Sequence, residues 1–326
     1  MTRQTTVAAV RDGLIEEMRR DPLVWAVGED LHIGGLYGQY HGLLDEFGPD
    51  RIVASPISEA MIVSAGLGGA LAGTRPVVDM RIADFALPAI DELVNQTAKA
   101  RFMFGGQASV STVVRLPQGI MASSAAQHSQ SLESWYVHTP GLVVLAPSTP
   151  ADCKGMLKSA IRCDDPVILI EPRALWQEDG EIPDGDHCVP IGVARMARKG
   201  TDLTIVTWSA MTALVQATVD TIAGNGIDID IELIDLRSLW PWDIDAVLNS
   251  VRKTGRLLVI HEAVEVCGFG AEIVARVTEH MFDDLKRAPK RLGAPRVPVA
   301  FSPPLENVYR IDTAKIELAI NEMMVS

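Results

Sequence analysis

The sequence predicts an α/β protein of two domains, each a mainly parallel β-sheet flanked by helices. Three observations carry this. The chain has 326 residues, and one domain per about 150 residues gives two. Short, nearly continuous apolar runs alternate with segments of helical period, the pattern of parallel strands covered on both faces. Residues 177–190 (QEDGEIPDGDHCVP) are polar and hold two Asp-Gly pairs and two prolines. That composition marks a linker between a first domain at 1–180 and a second at 190–326.

The elements follow in order. Thr6 is expected to cap a helix with the stripe Val7, Val10, Leu14 and Met18, stopped at Asp21-Pro22. A buried strand over 23–27 leads into Gly28-Glu29-Asp30. Ser58 is expected to cap a helix reaching Gly73, and a strand follows at 76–80. Asp84 is expected to cap one helix with Pro88 in its first turn and the stripe Ile90, Leu93, Val94 and Thr97-Ala98, ended by Gly105-Gly106. Strands at 112–115, 142–146 and 166–170 complete the first domain. The second has strands at 203–207, 229–234 and 256–261, with helices at 210–223, 244–252 and 271–281.

Composition narrows the function. The net charge is −13, so the surface repels phosphate backbones and anionic lipid, which argues against nucleic-acid or membrane binding. The longest low-polarity run, 61–73, is glycine-rich and too short to span a bilayer. The opening MTRQTTVAAVRDGL has no apolar leader core, and the four cysteines form no CxxC pair. Both features point to a cytoplasmic protein with reduced thiols.

In such folds ligands sit beyond the carboxyl ends of the strands. Gly28-Glu29-Asp30, the 80–85 segment, the start of the Ser58 helix and the 117–130 segment all reach that edge. Glu59 follows Ser58 and complements the helix dipole; in an apolar setting (Ile57, Met61) such a carboxyl can also exchange a proton with a heterocycle nitrogen. His128 ends a run of small residues and is placed to give or take a proton, or is a loop histidine satisfied by Ser129 or Gln130. Phe85 is a core residue or a stacking partner for a flat ring. Glu29 and Asp30 are carboxylates near a site or loop solvation. Gly66-Leu67-Gly68-Gly69 lies inside a helical pattern and reads as close helix packing. Gly268-Phe269-Gly270 follows a strand, reads as a helix N-terminus open to an anion or a partner chain, and lacks the third glycine of a dinucleotide fingerprint. No histidine pair has zinc spacing.

Taken together, the blocks resemble a known family. Val27-Gly28-Glu29-Asp30, Pro56-Ile57-Ser58-Glu59-Ala60, Arg75-Pro76-Val77-Val78, Ala98-Lys99-Ala100-Arg101 with Gly105-Gly106-Gln107, Ala126-Gln127-His128-Ser129-Gln130 and Gly268-Phe269-Gly270-Ala271-Glu272 occur in the order found in the β subunits of thiamine-diphosphate-dependent 2-oxoacid dehydrogenase components. That group includes the pyruvate, branched-chain 2-oxoacid and acetoin dehydrogenases. The resemblance implies a transketolase-like pyrimidine-binding domain followed by a transketolase C-terminal-like domain. It implies that Glu59 meets the cofactor's aminopyrimidine, that Ile57 and Phe85 contact the ring, that Glu29 lies near the ring and the subunit contact, and that His128 faces substrate and the lipoyl arm. For relatives that hold potassium, it implies Thr112, Ala160, Ile161, Cys163 and Asp165 as the matching positions, with Cys163 for the usual aspartate and Asp165 for the usual asparagine.

The chain contains no Gly-Asp-Gly, the motif through which relatives hold the metal of the diphosphate. The resemblance therefore implies an α partner in an α2β2 assembly, with magnesium held by the α chain. It also implies a lipoyl-bearing acyltransferase as acceptor and a 2-oxoacid, or alternatively acetoin, as substrate. The rivals are a nicotinamide-dependent oxidoreductase and a non-catalytic assembly subunit.

Overall fold

A computed structural model describes residues 1–226 and 229–325. Among the described residues it has two large sheets. The first runs in the order Ser238–Trp240, Val143–Leu145, Val167–Pro172, Val113–Gln118, Arg75–Asp79, Val24–Glu29, Ile52–Ser55, parallel except for its first pair. The second runs Lys290–Ala294, Leu257–Val264, Leu203–Thr207, Ile231–Asp235, Arg195–Arg198, parallel except for its last pair. Helices cover both, as the alternating apolar pattern predicts.

The two halves are stitched together. The strand Ser238–Trp240 lies in the second half of the sequence yet pairs with Val143–Leu145 of the first sheet. One apolar core runs through both, joining Ile168 and Leu142 to Leu239, Val206, Ile234 and Phe269. The polar 177–190 segment is not an open linker throughout: Asp179–Ile182 pairs antiparallel with Thr2–Thr5.

That pairing also moves the first helix cap. Thr6 amide and hydroxyl both bond to Glu178 O (3.0 and 3.4 Å), while the Thr5 hydroxyl accepts from Ala8 N at 3.3 Å. Thr5, not Thr6, caps Thr6–Arg20. Ser58 stands at the start of Glu59–Leu71, but its hydroxyl donates to Pro56 O at 3.0 Å and caps nothing. The single helix expected after Asp84 is three pieces: a 3-10 segment Ala83–Ala89, a π-helical turn Glu92–Thr97 and an α-helix Ala98–Met103. Pro88 has no amide to give the first piece. The Asp84 carboxylate is engaged elsewhere, accepting from Gln130 Nε2 at 2.7 Å.

A helix that the patterns left unmarked, Pro150–Arg162, packs along Thr6–Arg20 and is capped by Thr149. Lys154 and Lys158 both pair with Glu16, and Arg162 with buried Glu17. No described helix is long and apolar enough to cross a membrane.

The glycine run of the helix Glu59–Leu71 is a packing device at two of its positions. A Cβ at Gly66 would press into Val78, and one at Gly69 into Trp25, whereas Gly68 faces open space. Gly66→Ala is expected to lower unfolding stability by about 1–3 kcal/mol through overpacking. Gly68→Ala is expected to be neutral or to add up to about 1 kcal/mol of helix propensity. Chemical denaturation of the two variants side by side checks this; equal losses would contradict it.

Candidate active site

The site is built on the carboxyl edge of the first sheet. Four neighbouring strands end there, and the chain at or after each end carries one of the singled-out residues. Val24–Glu29 ends in Glu29, Ile52–Ser55 leads to Glu59, Arg75–Asp79 to Phe85, and Val113–Gln118 to His128.

A fully buried guanidinium fixes that edge. Arg115 Nε and Nη2 bond the two oxygens of Glu171 at 2.5 and 3.0 Å, Nη1 bonds Tyr40 Oη at 2.7 Å, and Asp79 lies 3.5 Å away. Burial opposes the charge, but the anions around it more than compensate, so Arg115 is held protonated. Asp79 Oδ1 in turn accepts from Arg81 N at 2.9 Å. Arg81 adopts φ 56° and sends Nη1 to Asp30 (2.6 Å) and Glu29 (3.3 Å). The expected pair of strand-end carboxylates is therefore bridged by Arg81, which sequence reasoning missed. An arginine at a strand end two residues beyond an aspartate was the available signal.

Phe85 and His128 come together. Their rings meet edge to face at 5.1 Å between centroids and 84°. The backbone behind His128 is held by Arg173, whose Nη1 donates to His128 O. Asp84 sits beside them. Burial raises its carboxyl, against the pull of the Gln130 hydrogen bond, and its Oδ2 has no partner in the fold.

Glu59 is the first residue of the helix Glu59–Leu71, which packs against Ala83–Ala89. The residue is half-buried. Ile57 and Met61, expected to desolvate it, are 78% and 47% exposed. In this chain they form an apolar rim open to solvent, so a dry setting for Glu59 requires another body against that rim. The open rim, the strand-end carboxyl and the Phe85 ring fit a flat heterocycle such as an aminopyrimidine.

The positions matched to potassium behave otherwise. Ile161 O and Cys163 O accept from Arg75 Nη1 at 2.9 and 3.1 Å, Ala160 O from Cys163 N at 3.1 Å and Thr112 O from Val167 N at 2.9 Å. Asp165 pairs with Arg101. Protein donors already engage these acceptors, and a guanidinium supplies positive charge, so this arrangement does not fit a potassium ion. Among the described residues no cluster of three His, Cys, Asp or Glu is placed to hold a metal.

The helix expected after Gly268-Phe269-Gly270 begins at Gly270, and the two glycines also serve packing. A Cβ at either glycine would strike the His261 ring. His261 is fully buried and stacked on Trp208 at 5.3 Å. Its Nδ1 donates to Ala263 O (3.1 Å), while Nε2 has no partner. The motif thus makes room for a buried neutral imidazole.

Comparison with known proteins gives the class and then the family. Residues 2–178 match the family described as transketolase, pyrimidine binding domain, and residues 192–316 match transketolase, C-terminal domain. A solved structure titled split gene transketolase, inactive beta4 tetramer, shares the fold at a TM-score of 0.79 and 20% identity over 98% of both chains. The acetoin:2,6-dichlorophenolindophenol oxidoreductase subunit beta of Cupriavidus necator is 40% identical over 97% of this chain and 96% of its own length. The pyruvate dehydrogenase E1 component subunit beta of Rhizobium meliloti is 39% identical, covering 98% of this chain and 70% of its own. The 2-oxoisovalerate dehydrogenase subunit beta of Bacillus subtilis is 34% identical over 99% of each. The chain belongs to the transketolase-like family of thiamine-diphosphate-dependent dehydrogenase β subunits, which displaces the nicotinamide reading.

The buried imidazole generates a pH prediction. Burial lowers the pKa of His261 from 6.5 to about 4. Between those values the unfolded chain binds more protons than the native one, so this group's contribution is intact above pH 6.5 and is lost as pH falls towards 4. Melting or denaturation across that range should show His261→Gln with a pH slope shallower by up to about one proton. An unchanged slope would mean that His261 takes up its proton in the folded state as readily as in the unfolded one.

Proposed function

We propose that the chain is the β half of a thiamine-diphosphate-dependent dehydrogenase component that decarboxylates a 2-oxoacid oxidatively and passes the acyl group to a lipoyl carrier. The observation that carries the proposal is that Glu29, Glu59, Phe85 and His128 follow or end four adjacent strands, with Phe85 and His128 in ring contact and the apolar neighbours of Glu59, Ile57 and Met61, open to solvent. The chain supplies no Gly-Asp-Gly for the diphosphate's metal. The proposed active form is therefore α2β2, with magnesium on the α chain and the cofactor between α and β.

Thiamine diphosphate supplies the nucleophilic carbon and the electron sink when bound. In the proposal the β residues act as follows. Glu59 holds or donates a proton at the N1′ edge of the aminopyrimidine, and partner contact on the Ile57–Met61 rim excludes water from that bond. Phe85 and Ile57 line the ring. Glu29, fixed by Arg81, lies behind it. His128 gives or takes a proton at the substrate carbonyl oxygen and during acyl transfer. The exposed Phe102, Met103 and Phe104 (85, 73 and 52% exposed) are apolar surface for subunit contact. We also propose that the domains are 1–180 and 190–326, and that the free thiols go with a cytoplasmic location.

Acetoin cleavage is a second reading, favoured by the Ala100–Gly106 run ARFMFGG, which is similar to acetoin-type subunits. Turnover of pyruvate, 2-oxoisovalerate and acetoin by the co-purified α/β pair separates the two.

Glu59 gives the test. Glu59→Gln keeps a hydrogen bond but cannot transfer a proton. In the α/β assembly it is expected to retain the cofactor and to slow hydrogen–deuterium exchange at the cofactor's C2 by at least about 10²-fold, measured by quench-flow and NMR. Wild-type exchange in a well-assembled variant would reduce Glu59 to a first-turn helix acid.

A further inference from the structure

The loop that carries His128 departs from regular backbone at several points. Gly119, Ser123 and Ala125 all have positive φ (98, 55 and 60°); glycine takes this conformation freely, but at Ser123 and Ala125 it persists only where surroundings impose it. Much of what imposes it comes from the other half of the chain. Glu262, on the strand Leu257–Val264, accepts from Ile120 N at 3.2 Å through Oε1 and from Ser131 Oγ at 3.3 Å through Oε2. Those bonds close the two ends of the loop on one carboxylate. Glu306, on Pro303–Tyr309, accepts from Ser123 N at 2.9 Å and is itself held by Arg310. A Cβ at Gly119 would run into the Glu262 carboxylate, so the glycine is the condition for that close approach.

Glu262 is not part of the site. It lines a cavity of about 570 Å³ between the halves, with Ile120, Ser148, Met211, Tyr309 and Arg310. Water reaches it from that side while protein crowds the rest. Gln118 and Glu133 continue the same support: Gln118 accepts from Leu132 N (3.0 Å) and donates to Glu133, which also accepts from Trp208 Nε1 (3.2 Å).

We infer that Glu262 is a positioning residue: it clamps both ends of the 119–131 loop to the second half of the chain and thereby holds the His128 imidazole against Phe85. The inference rests on the reading of His128 given above. A carboxylate is suited to the task because one group presents two acceptors to two donors eleven residues apart in sequence. Its partners are 142 and 131 residues away along the chain, so the loop's shape depends on the docking of the two halves.

The test uses the α/β assembly, with hydrogen exchange of the 119–131 peptide read by mass spectrometry alongside turnover. Glu262→Ala is expected to speed exchange in that peptide by about tenfold or more. It should lower kcat/KM by about 10²-fold, the scale of a misplaced reacting group, without loss of cofactor affinity. Glu262→Gln keeps an acceptor for Ile120 N and is expected to restore both readouts to near wild type. If Glu262→Ala does not assemble, Glu262→Asp withdraws the carboxylate by one methylene and is expected to shift both readouts in the same direction. Unchanged exchange in the assembled variant overturns the inference. Faster exchange with wild-type turnover also overturns it, and a parallel His128→Ala locates the failure. If that variant too keeps full turnover, the reading of His128 has failed; if it is impaired, the clamp alone has.

Discussion

The carboxyl edge of the first sheet depends on one buried cation. Arg115 joins three strands through Asp79 and Glu171 and reaches the Tyr40 hydroxyl in the segment that follows Glu29. Breaking such a pair by removing one partner leaves a buried charge uncompensated and costs about 3–5 kcal/mol, although exchanging the whole cluster for apolar residues is often neutral. Its contribution is thus best understood as specificity. It ties the strands together, faces Asp79, which accepts from the Arg81 amide, and through Arg81 the network reaches Glu29 and Asp30. The side chains proposed to meet the cofactor stand on that frame.

The same edge is unfinished. A proton-handling carboxyl benefits from exclusion of water, yet the apolar neighbours of Glu59 face solvent. Nothing in the sequence supplies the diphosphate-side motif. The proposed α chain accounts for both, by covering the rim and bringing the other half of the site. The relatives named as β subunits carry the same implication of an α partner.

Much of the fold was legible because it is written locally. Apolar strands such as Leu257–Val264, bracketed by the helices Ile244–Thr254 and Gly270–Met281, announce a parallel sheet without knowledge of contacts. Glu59, Phe85 and His128 could be proposed from sequence because each sits in a short block that follows a strand. What escaped was non-local. Thr6 lost its capping role to Thr5 because residues 2–5 pair with 179–182, far along the chain. Ser238–Trp240 crosses into the first sheet. Arg81, Arg173 and Glu262 have no motif, and their roles exist only once distant segments meet. The packing of Gly268 and Gly270 on His261 also escaped, because local sequence does not show which distant ring a glycine makes room for.

The central claim is that this chain holds half of a thiamine diphosphate site. The most direct measurement is isothermal titration of thiamine diphosphate and magnesium into the purified chain, into its α partner and into the assembled pair. The account predicts weak or no binding to the chain alone and tight, magnesium-dependent binding to the pair, with one cofactor for each αβ unit. Tight magnesium-dependent binding to the chain alone, unchanged when the α chain is added, would contradict it.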